Sequence, residues 1–275
     1  MMTRAVRPGP LSLRVRGLSV RTRAASPSVL LDHVDLDLSQ GQRLGVVGSS
    51  GAGKSIFLRA LTGLCPASLD VRGSVQLIDD SGEIVELLAA DAEQRHRLAT
   101  DAMAIGWQNS LESLNPYQTI GRQLAAAVRL RRSLAREEVW PVCVDWLDKV
   151  GLSEGVSLLK QYPHQLSGGM RQRVAIAMTM CGGQPIVVAD EPTTALDMVS
   201  QAACIDLYDR LCAAEARSLV YVSHDLALVS RLCTSVLVLE HGRVIESGSV
   251  DAVFGAPTSE LTRALVGLTR KIRPA

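Results

Sequence analysis

The stretch that decides the fold is GSSGAGKS at residues 48–55, which follows the apolar run RLGVV at residues 43–47 and opens a helical pattern. It fits G-x-x-x-x-G-K-[ST] in the required place between a strand and a helix. The glycines allow a tight turn whose backbone N–H groups face phosphate oxygens, and the helix adds its positive end. This segment predicts nucleotide binding.

Within this loop, Lys54 is expected to reach the β- and γ-phosphates, and Ser55 to offer its hydroxyl to Mg²⁺. A chance glycine turn before a helix is the alternative interpretation. The predicted phosphate-binding residues are Gly48, Ser49, Ser50, Gly51, Ala52, Gly53, Lys54, Ser55 and Ile56.

A second apolar strand ends in two acids, in IVVADE at residues 186–191. Its end lies at the carboxyl edge of the sheet, where doubly wound folds bind ligands. Asp190 suits Mg²⁺, and Glu191 can polarise an attacking water as a general base. The alternative interpretation is that the two acids only keep the end of the strand solvated.

The segment LSGGMRQR at residues 166–173 precedes a predicted helix at 174–181 and forms a second anion-binding helix start. The chain thus has one glycine loop but two helix starts that can bind phosphate. Two copies that meet head to tail, so that each closes the other's site, would explain this. His224, after the strand at 219–222, can donate to a γ-phosphate, although a lone histidine is more often structural. Gln108 follows another short strand, where its amide could contact Mg²⁺ and the attacking water.

The remaining pattern predicts alternating strands and helices, and hence a mostly parallel sheet with a helical insertion. Two antiparallel strands come first, and a hairpin closes the fold. The predicted strands are 11–20, 30–38, 43–47, 75–78, 84–87, 103–107, 186–189, 219–222, 236–239 and 244–245, and the predicted helices include 54–64 and much of 118–165.

The composition of the chain excludes several classes of protein. The 275 residues are 47% hydrophobic and 21% charged, as in soluble globular proteins, and the net charge of +1 argues against nucleic-acid binding. No apolar run approaches the ~18 residues of a membrane span. The six cysteines form no CxxC pair, which predicts reduced thiols in a cytoplasmic protein.

Taken together, the glycine loop, Gln108, LSGGM, ADEPTTALD at 189–197 and VSHD at 222–225 resemble the ATP-binding-cassette (ABC) ATPases, over nearly the whole chain. The resemblance implies an α/β fold with a P-loop NTPase, RecA-like core, an antiparallel β subdomain and an inserted helical subdomain. The implied boundaries are about 1–109 and 166–250 for the core, 110–165 for the helical subdomain and 251–275 for a short extension.

The same resemblance implies roles for individual residues. Ser167, Gly168 and Gly169 would hold the γ-phosphate of the partner's ATP, and Asp197 would communicate across the dimer. The implied catalytic residues are Glu191 as base, His224 as γ-phosphate sensor, Gln108 and Lys54. The implied Mg²⁺ ligands are Ser55, Gln108 and Asp190, and the implied cofactors are ATP and Mg²⁺.

Finer motifs resemble the importers of dipeptides, oligopeptides and nickel: SLNP at 113–116, YPH at 162–164, AP at 256–257 and TRAL at 262–265. Many of those proteins end in a cysteine cluster that holds an iron–sulfur centre. This chain has no cysteine after Cys233, so no such cluster is expected. The short tail, and SEL at 259–261 where peptide importers usually have His-Pro-Tyr, look more like the nickel or metallophore members.

The implied partners are two membrane permease subunits, a second ABC ATPase that is a copy or a paralogue, and an extracytoplasmic solute-binding protein. The chain would sit peripherally on the cytoplasmic side of the bacterial inner membrane, with a groove near residues 109–120 for a permease helix. An alternative is a non-transport assembly such as the carbon–phosphorus lyase system. A DNA-repair or chromosome-associated ATPase is disfavoured, because coiled-coil, zinc and basic signals are absent.

One departure concerns the nucleotide base. Family members usually carry an aromatic residue after the first strand, but VRTR occupies that place at 20–23, and no Phe, Tyr or Trp precedes Phe57. Adenine is expected to lie against Arg21, Arg23 or aliphatic side chains. Base stacking contributes on the order of 1–3 kcal/mol, so loose base selectivity is expected.

Overall fold

The computed structural model describes residues 11–106, 114–131, 134–193 and 196–272. Its strands are β1 (Leu11–Thr22), β2 (Val29–Leu38), β3 (Arg43–Val47), β4 (Leu69–Asp79), β5 (Ile84–Glu86), β6 (Met103–Gly106), β7 (Ile186–Asp190), β8 (Ser218–Val222), β9 (Ser235–Glu240) and β10 (Arg243–Ser249). Its helices are α1 (Lys54–Leu61), α2 (Ala92–Ala102), α3 (Ile120–Arg131), α4 (Val139–Lys149), α5 (Gly155–Leu158), α6 (Gly168–Met180), α7 (Met198–Ala214), α8 (Leu226–Leu232), α9 (Val250–Gly255) and α10 (Glu260–Ile272).

The strands form two sheets. The larger has the order β10-β9-β3-β8-β7-β6, in which β10 is antiparallel to β9 and the other neighbours are parallel. The smaller is antiparallel, in the order β2-β1-β4-β5. The predictions of a mostly parallel sheet, an antiparallel first pair and a closing hairpin are therefore confirmed.

The larger sheet separates two hydrophobic cores. Side chains alternate across a strand, so Ile186 and Val188 join the core that contains β1, β2 and α1. Val187 and Ala189 join the opposite core, which holds residues of α3, α4, α6 and α7. Burial on both faces explains why β7 is uninterrupted by a polar residue until Asp190.

Several element boundaries differ from the sequence predictions. Helix α6 begins at Gly168 and not at residue 174, because the Ser167 side chain caps its first turn. The expected helical stretch 118–165 is divided into α3, α4, α5 and a 3₁₀ turn at Pro163–Gln165. Helix α2 was not predicted, since its polar sequence lacks a clear apolar period, although the Asp91 cap was a usable signal.

The parallel topology positions the polar residues of interest. Strands β3, β7 and β8 run in one direction, so the segments that follow them emerge at the same edge of the sheet. These segments carry the glycine loop, Glu191 and His224. Within the described ranges, no helix has both the length and the hydrophobicity needed to cross a bilayer.

Candidate functional site

The glycine loop has the backbone that its sequence predicts. Gly51 and Gly53 have φ angles of 77° and 104°, in the left-handed region that glycine adopts without strain. A Cβ at Gly48 would lie 2.3 Å from the carbonyl oxygen of Leu239, so only glycine fits there. Helix α1 begins at Lys54 without a side-chain cap, which leaves its first N–H groups available to an anion.

The Lys54 ammonium is held inside this loop. The residue is 8% exposed, and its Nζ donates to the carbonyl oxygens of Gly48 at 2.9 Å and Ser49 at 3.0 Å. A buried cation needs such acceptors. The loop therefore keeps the ammonium at the place where the loop can receive phosphate oxygens.

A cavity of about 390 Å³ opens beside the loop. It brings together residues that are far apart in the sequence, since it combines loop residues with side chains that follow β7 and β8. Its lining consists of Ser50, Gly51, Gly53, Lys54, Ser55, Ile56, Glu191 and His224.

Asp190 ends β7 and is 4% exposed. Burial raises the pKa of Asp190; a side-chain hydrogen bond with Ser55 opposes this effect, and the neighbouring Glu191 charge adds to it. A hydroxyl and a carboxylate in contact are the hard oxygen donors that Mg²⁺ prefers. The side chains present therefore fit the cation, and Ser55 and Asp190 are the residues that would hold it.

Glu191 and His224 face each other in the cavity. The Glu191 Oε2 lies 3.3 Å from the His224 Nδ1, and their side chains are 16% and 62% exposed. Glu191 has a φ angle of 43°, and its N–H donates to the Val222 carbonyl oxygen at 3.0 Å. A partly buried carboxylate beside an exposed imidazole suits a base next to a phosphate-sensing group.

The LSGG segment lies at the start of α6 and is open to its surroundings. The Ser167 Oγ accepts a hydrogen bond from the Met170 N–H at 3.3 Å. A Cβ on Gly168 or Gly169 would have no described atom within 4 Å apart from neighbouring residues and the backbone of its own helix. None of these residues is among those that line the cavity of the glycine loop.

Asp197 caps α7. Its carboxylate accepts from the N–H groups of Val199 and Ser200, both at 3.0 Å, and from the Ser200 hydroxyl at 2.6 Å. The side-chain hydrogen bond from Ser200, together with these backbone bonds, lowers the pKa of Asp197. The residue is exposed and holds a negative charge at the surface.

The opposite pKa shifts of the two aspartates predict opposite effects on stability. The raised pKa of Asp190 means that its ionised form opposes folding above that pKa, and that this cost vanishes as the pH falls below about 3.9, the value in unfolded chains. We expect Asp190→Asn to raise the Tm at pH 7 by a few degrees without nucleotide or divalent cations.

Asp197→Asn is the matched control. The lowered pKa of Asp197 adds stability at neutral pH that is lost as the pH falls through the folded-state value, so this variant should have a lower Tm at pH 7. Calorimetry between pH 4 and pH 8 measures both differences, and both should shrink towards the acid end. A lower Tm for Asp190→Asn at pH 7 would contradict the burial argument.

Gln108 lies outside the described residues, as do residues 107–113 around it. The structure also contains contacts that sequence patterns did not indicate. The Gly242 N–H donates to the Ala52 carbonyl oxygen at 2.9 Å, so the turn after β9 braces the glycine loop. The Gln172 side chain donates to the Pro192 carbonyl oxygen at 2.7 Å. Each contact joins distant segments, and no local motif signals it.

Two arginines are expected near the nucleotide base: Arg21 lies near the end of β1, and Arg23 directly follows that strand. Val20 is fully buried, so that aliphatic side chain is not available for stacking. Arg21 and Arg23 are exposed, and the Arg23 Nε donates to the Leu69 carbonyl oxygen at 3.1 Å. Contact between adenine and Arg21 or Arg23 therefore remains a prediction, whereas Val20 is excluded as an aliphatic contact for the base.

A glycine loop at the start of a helix, with two acids at the end of a parallel strand that one further strand separates from the strand before the loop, defines a P-loop ATPase. The family model described as "ABC transporter" matches residues 31–194. A protein of Brucella melitensis named for peptide import and ATP binding is 36% identical over 258 residues, which cover 92% of this chain and 76% of that protein. The glutathione import ATP-binding protein GsiA of Escherichia coli K12 is 37% identical over 240 residues, 85% of this chain and 38% of GsiA.

Solved structures agree on the fold. A dimeric structure of the ATP-binding cassette MJ0796, in a post-hydrolysis state with ADP and Pi, has a TM-score of 0.73 and 24% identity and covers 86% of this chain and 98% of that one. The chain belongs to the ABC transporter family. It has the nucleotide-binding cassette fold. As a member of this family it is an ATP-binding subunit that hydrolyses ATP.

Proposed function

We propose that this ATPase works as one half of a head-to-tail pair that powers an importer. The observation that carries the pairing is the open surface at Gly168 and Gly169, where added side chains would meet no described atoms beyond their neighbours and own helix backbone. Packing among the described residues therefore gives no reason for glycine at these positions. A nucleotide bound to another subunit does give a reason for glycine, because its phosphate group needs close access to the N–H groups at the start of α6.

In this proposal, each ATP lies between two subunits. One subunit contributes its glycine loop, in which Lys54 contacts the β- and γ-phosphates. Ser55, Asp190 and Gln108 would hold a Mg²⁺ ion, which would neutralise charge that develops on the phosphates. The partner contributes Ser167, Gly168 and Gly169 to the γ-phosphate, and Asp197 contacts the other subunit.

The proposed hydrolytic step uses Glu191 and His224. Glu191 accepts a proton from the attacking water, and His224 donates a hydrogen bond to the γ-phosphate. The two side chains lie 3.3 Å apart in the cavity beside the loop, so both can reach the same phosphate group. ATP binding would close the pair, the closure would move the membrane subunits, and hydrolysis would reopen the pair.

The helical segment from about 110 to 165 is the proposed face for two permease subunits. It exposes large apolar side chains, including Tyr117 at 87% and Trp140 at 45%. Trp140 also lines a cavity of about 720 Å³ between α4 and α5, away from the nucleotide residues. Exposed aromatic residues beside an apolar depression suit a helix from a partner protein. The subunit would thus sit peripherally at the cytoplasmic side of the inner membrane.

The proposed cargo class is small peptides or metal chelates, delivered by an extracytoplasmic solute-binding protein. Relatives named for peptide and glutathione import support the peptide choice. The SEL segment at 259–261 favours nickel or metallophore cargo. A component of a non-transport assembly, such as a carbon–phosphorus lyase complex, is the alternative.

Affinity purification of the tagged chain from detergent-solubilised membranes tests the proposal. Mass spectrometry should identify two permease subunits, either a second ATPase or a second copy of this chain, and the bound cargo. Recovery of only soluble enzyme subunits would support the non-transport alternative and overturn the importer proposal.

Base selectivity gives a separate prediction. Without an aromatic residue at 20–23, ATP and GTP should be hydrolysed at comparable rates, because the phosphates provide most of the binding. Steady-state kcat/KM values with the two nucleotides measure this, and Thr22→Tyr should increase the preference for ATP. A preference above roughly a hundredfold in the unmodified chain, which corresponds to ~2.7 kcal/mol, would contradict it.

A further inference from the structure

The backbone that follows Glu191 is held by a side chain of the LSGG helix. Gln172 lies one turn into α6, is 3% exposed, and donates from Nε2 to the Pro192 carbonyl oxygen at 2.7 Å. A second hydrogen bond joins the Gln172 side chain to the Cys204 thiol on α7. The Gln172 side chain is therefore bonded to two segments, the turn after Glu191 and helix α7.

The residue before Pro192 has a backbone that needs such support. Glu191 has a φ angle of 43°, whereas a residue that precedes proline favours an extended backbone. A left-handed conformation at a residue other than glycine persists only where surrounding contacts impose it. The Glu191 N–H bonded to Val222 holds one side of this turn, and Gln172 holds the other.

A further contact strengthens the same segment. The Gln201 Nε2 on α7 donates to the Thr193 carbonyl oxygen at 3.2 Å. The Thr193 hydroxyl lies 3.3 Å from the Tyr221 hydroxyl on β8. Residues 192 and 193 are therefore hydrogen-bonded to α6, α7 and β8, and the shortest of these three bonds is the buried one from Gln172.

We propose that Gln172 is a positioning residue for ATP hydrolysis: it fixes the backbone turn that aims the Glu191 carboxylate. The inference rests on the proposed role of Glu191 as the general base. Because Gln172 lies on the helix that Ser167 caps, a shift of α6 when the LSGG segment meets the partner's ATP is transmitted to the turn at Glu191. The helix thus links one nucleotide to the base that acts on the other.

The test compares two variants of the full chain in the complex with which it purifies. Gln172→Met keeps the length of the side chain without a donor, and Gln172→Glu keeps its shape but turns a carboxylate oxygen towards the Pro192 carbonyl. We expect kcat to fall roughly tenfold in both, with little change in the KM for ATP. Ile176→Val, which removes a buried methylene from the same helix, should lower the Tm but leave kcat unchanged.

A double-mutant cycle separates positioning from a structural role. If Gln172 acts through Glu191, then adding Gln172→Met to Glu191→Gln should not lower the residual single-turnover rate further. Additive losses, or an unchanged kcat in both single variants, would overturn the proposal for Gln172. Full activity of Glu191→Gln by itself would instead remove the proposed base, so the two failures are distinguishable.

Discussion

Replacing Glu191 with glutamine is expected to lower kcat by about 10²–10⁴-fold, the contribution typical of a general base. Binding of ATP should persist, since the loop and Asp190 are untouched. Removing the Glu191 charge also removes a contribution that raises the pKa of Asp190, so Asp190 stays ionised more readily and the cation site is kept. ATP should therefore accumulate in closed dimers that cannot reopen.

Single-turnover hydrolysis, equilibrium nucleotide binding and size-exclusion chromatography with ATP measure these three effects. Glu240→Gln is the matched control, because Glu240 ends β9 but does not line the cavity. That variant should retain its kcat. Normal turnover in Glu191→Gln would exclude Glu191 as the base, whatever the state of the dimer.

Replacing Ser167 with arginine is expected to abolish hydrolysis at the partner's glycine loop. The variant places a long cation on the open face of the LSGG segment, and it removes the oxygen that accepts from the Met170 N–H. Loss of one preorganised group at an anion site costs on the order of 10²–10³-fold in kcat, and the bulk of arginine should add to that loss.

Dimers of this chain with two different tags show which subunit is affected. If each site combines the loop of one subunit with the LSGG segment of the other, Ser167→Arg and Lys54→Ala on the same subunit inactivate both sites. The same two changes on different subunits affect a common site and leave the other intact, so one ATP per dimer is still occluded. The reverse pattern, or hydrolysis by an isolated Ser167→Arg monomer, would refute the head-to-tail arrangement.

Ser249→Arg controls for the loss of a helix cap. Ser249 caps α9 with the same kind of side-chain bond, accepting from the Ala252 N–H at 3.2 Å, and it does not line the cavity beside the glycine loop. Both variants should lose about 1 kcal/mol of stability. Only Ser167→Arg should lose hydrolysis, and equal losses of activity would attribute the effect to unfolding of a helix end.

Much of the fold could be predicted because its signals are local. The apolar run of β7 and the glycines at 48–53 depend on burial and backbone freedom, which residue type reports directly. Helix boundaries were less predictable. The apolar period begins at Val174, but the first turn of α6 is made by glycines that the Ser167 cap holds in place. A cap depends on one side-chain oxygen and leaves no periodic pattern.

The candidate site likewise has one part that could be predicted from the sequence and one part that could not. Lys54, Ser55, Asp190, Glu191 and His224 were all predicted from motifs, and the structure places them at one edge of the sheet. The support for Glu191 was not predicted. Its φ angle and the hydrogen bond from Gln172 arise between segments that meet only after folding.

The sequence by itself determined the class of protein, the phosphate loop and the identity of its acids, since each is a short motif whose chemistry depends on adjacent residues. The tertiary structure decided what surrounds them: the burial that raises the pKa of Asp190, the turn that aims Glu191, and the open face at Gly168 and Gly169. The physical reason is that a motif depends on residues close together in the sequence, whereas its surroundings depend on residues that are close only in space. Burial, electric fields and backbone strain depend on every segment packed nearby, and one stretch of sequence does not specify its neighbours in space.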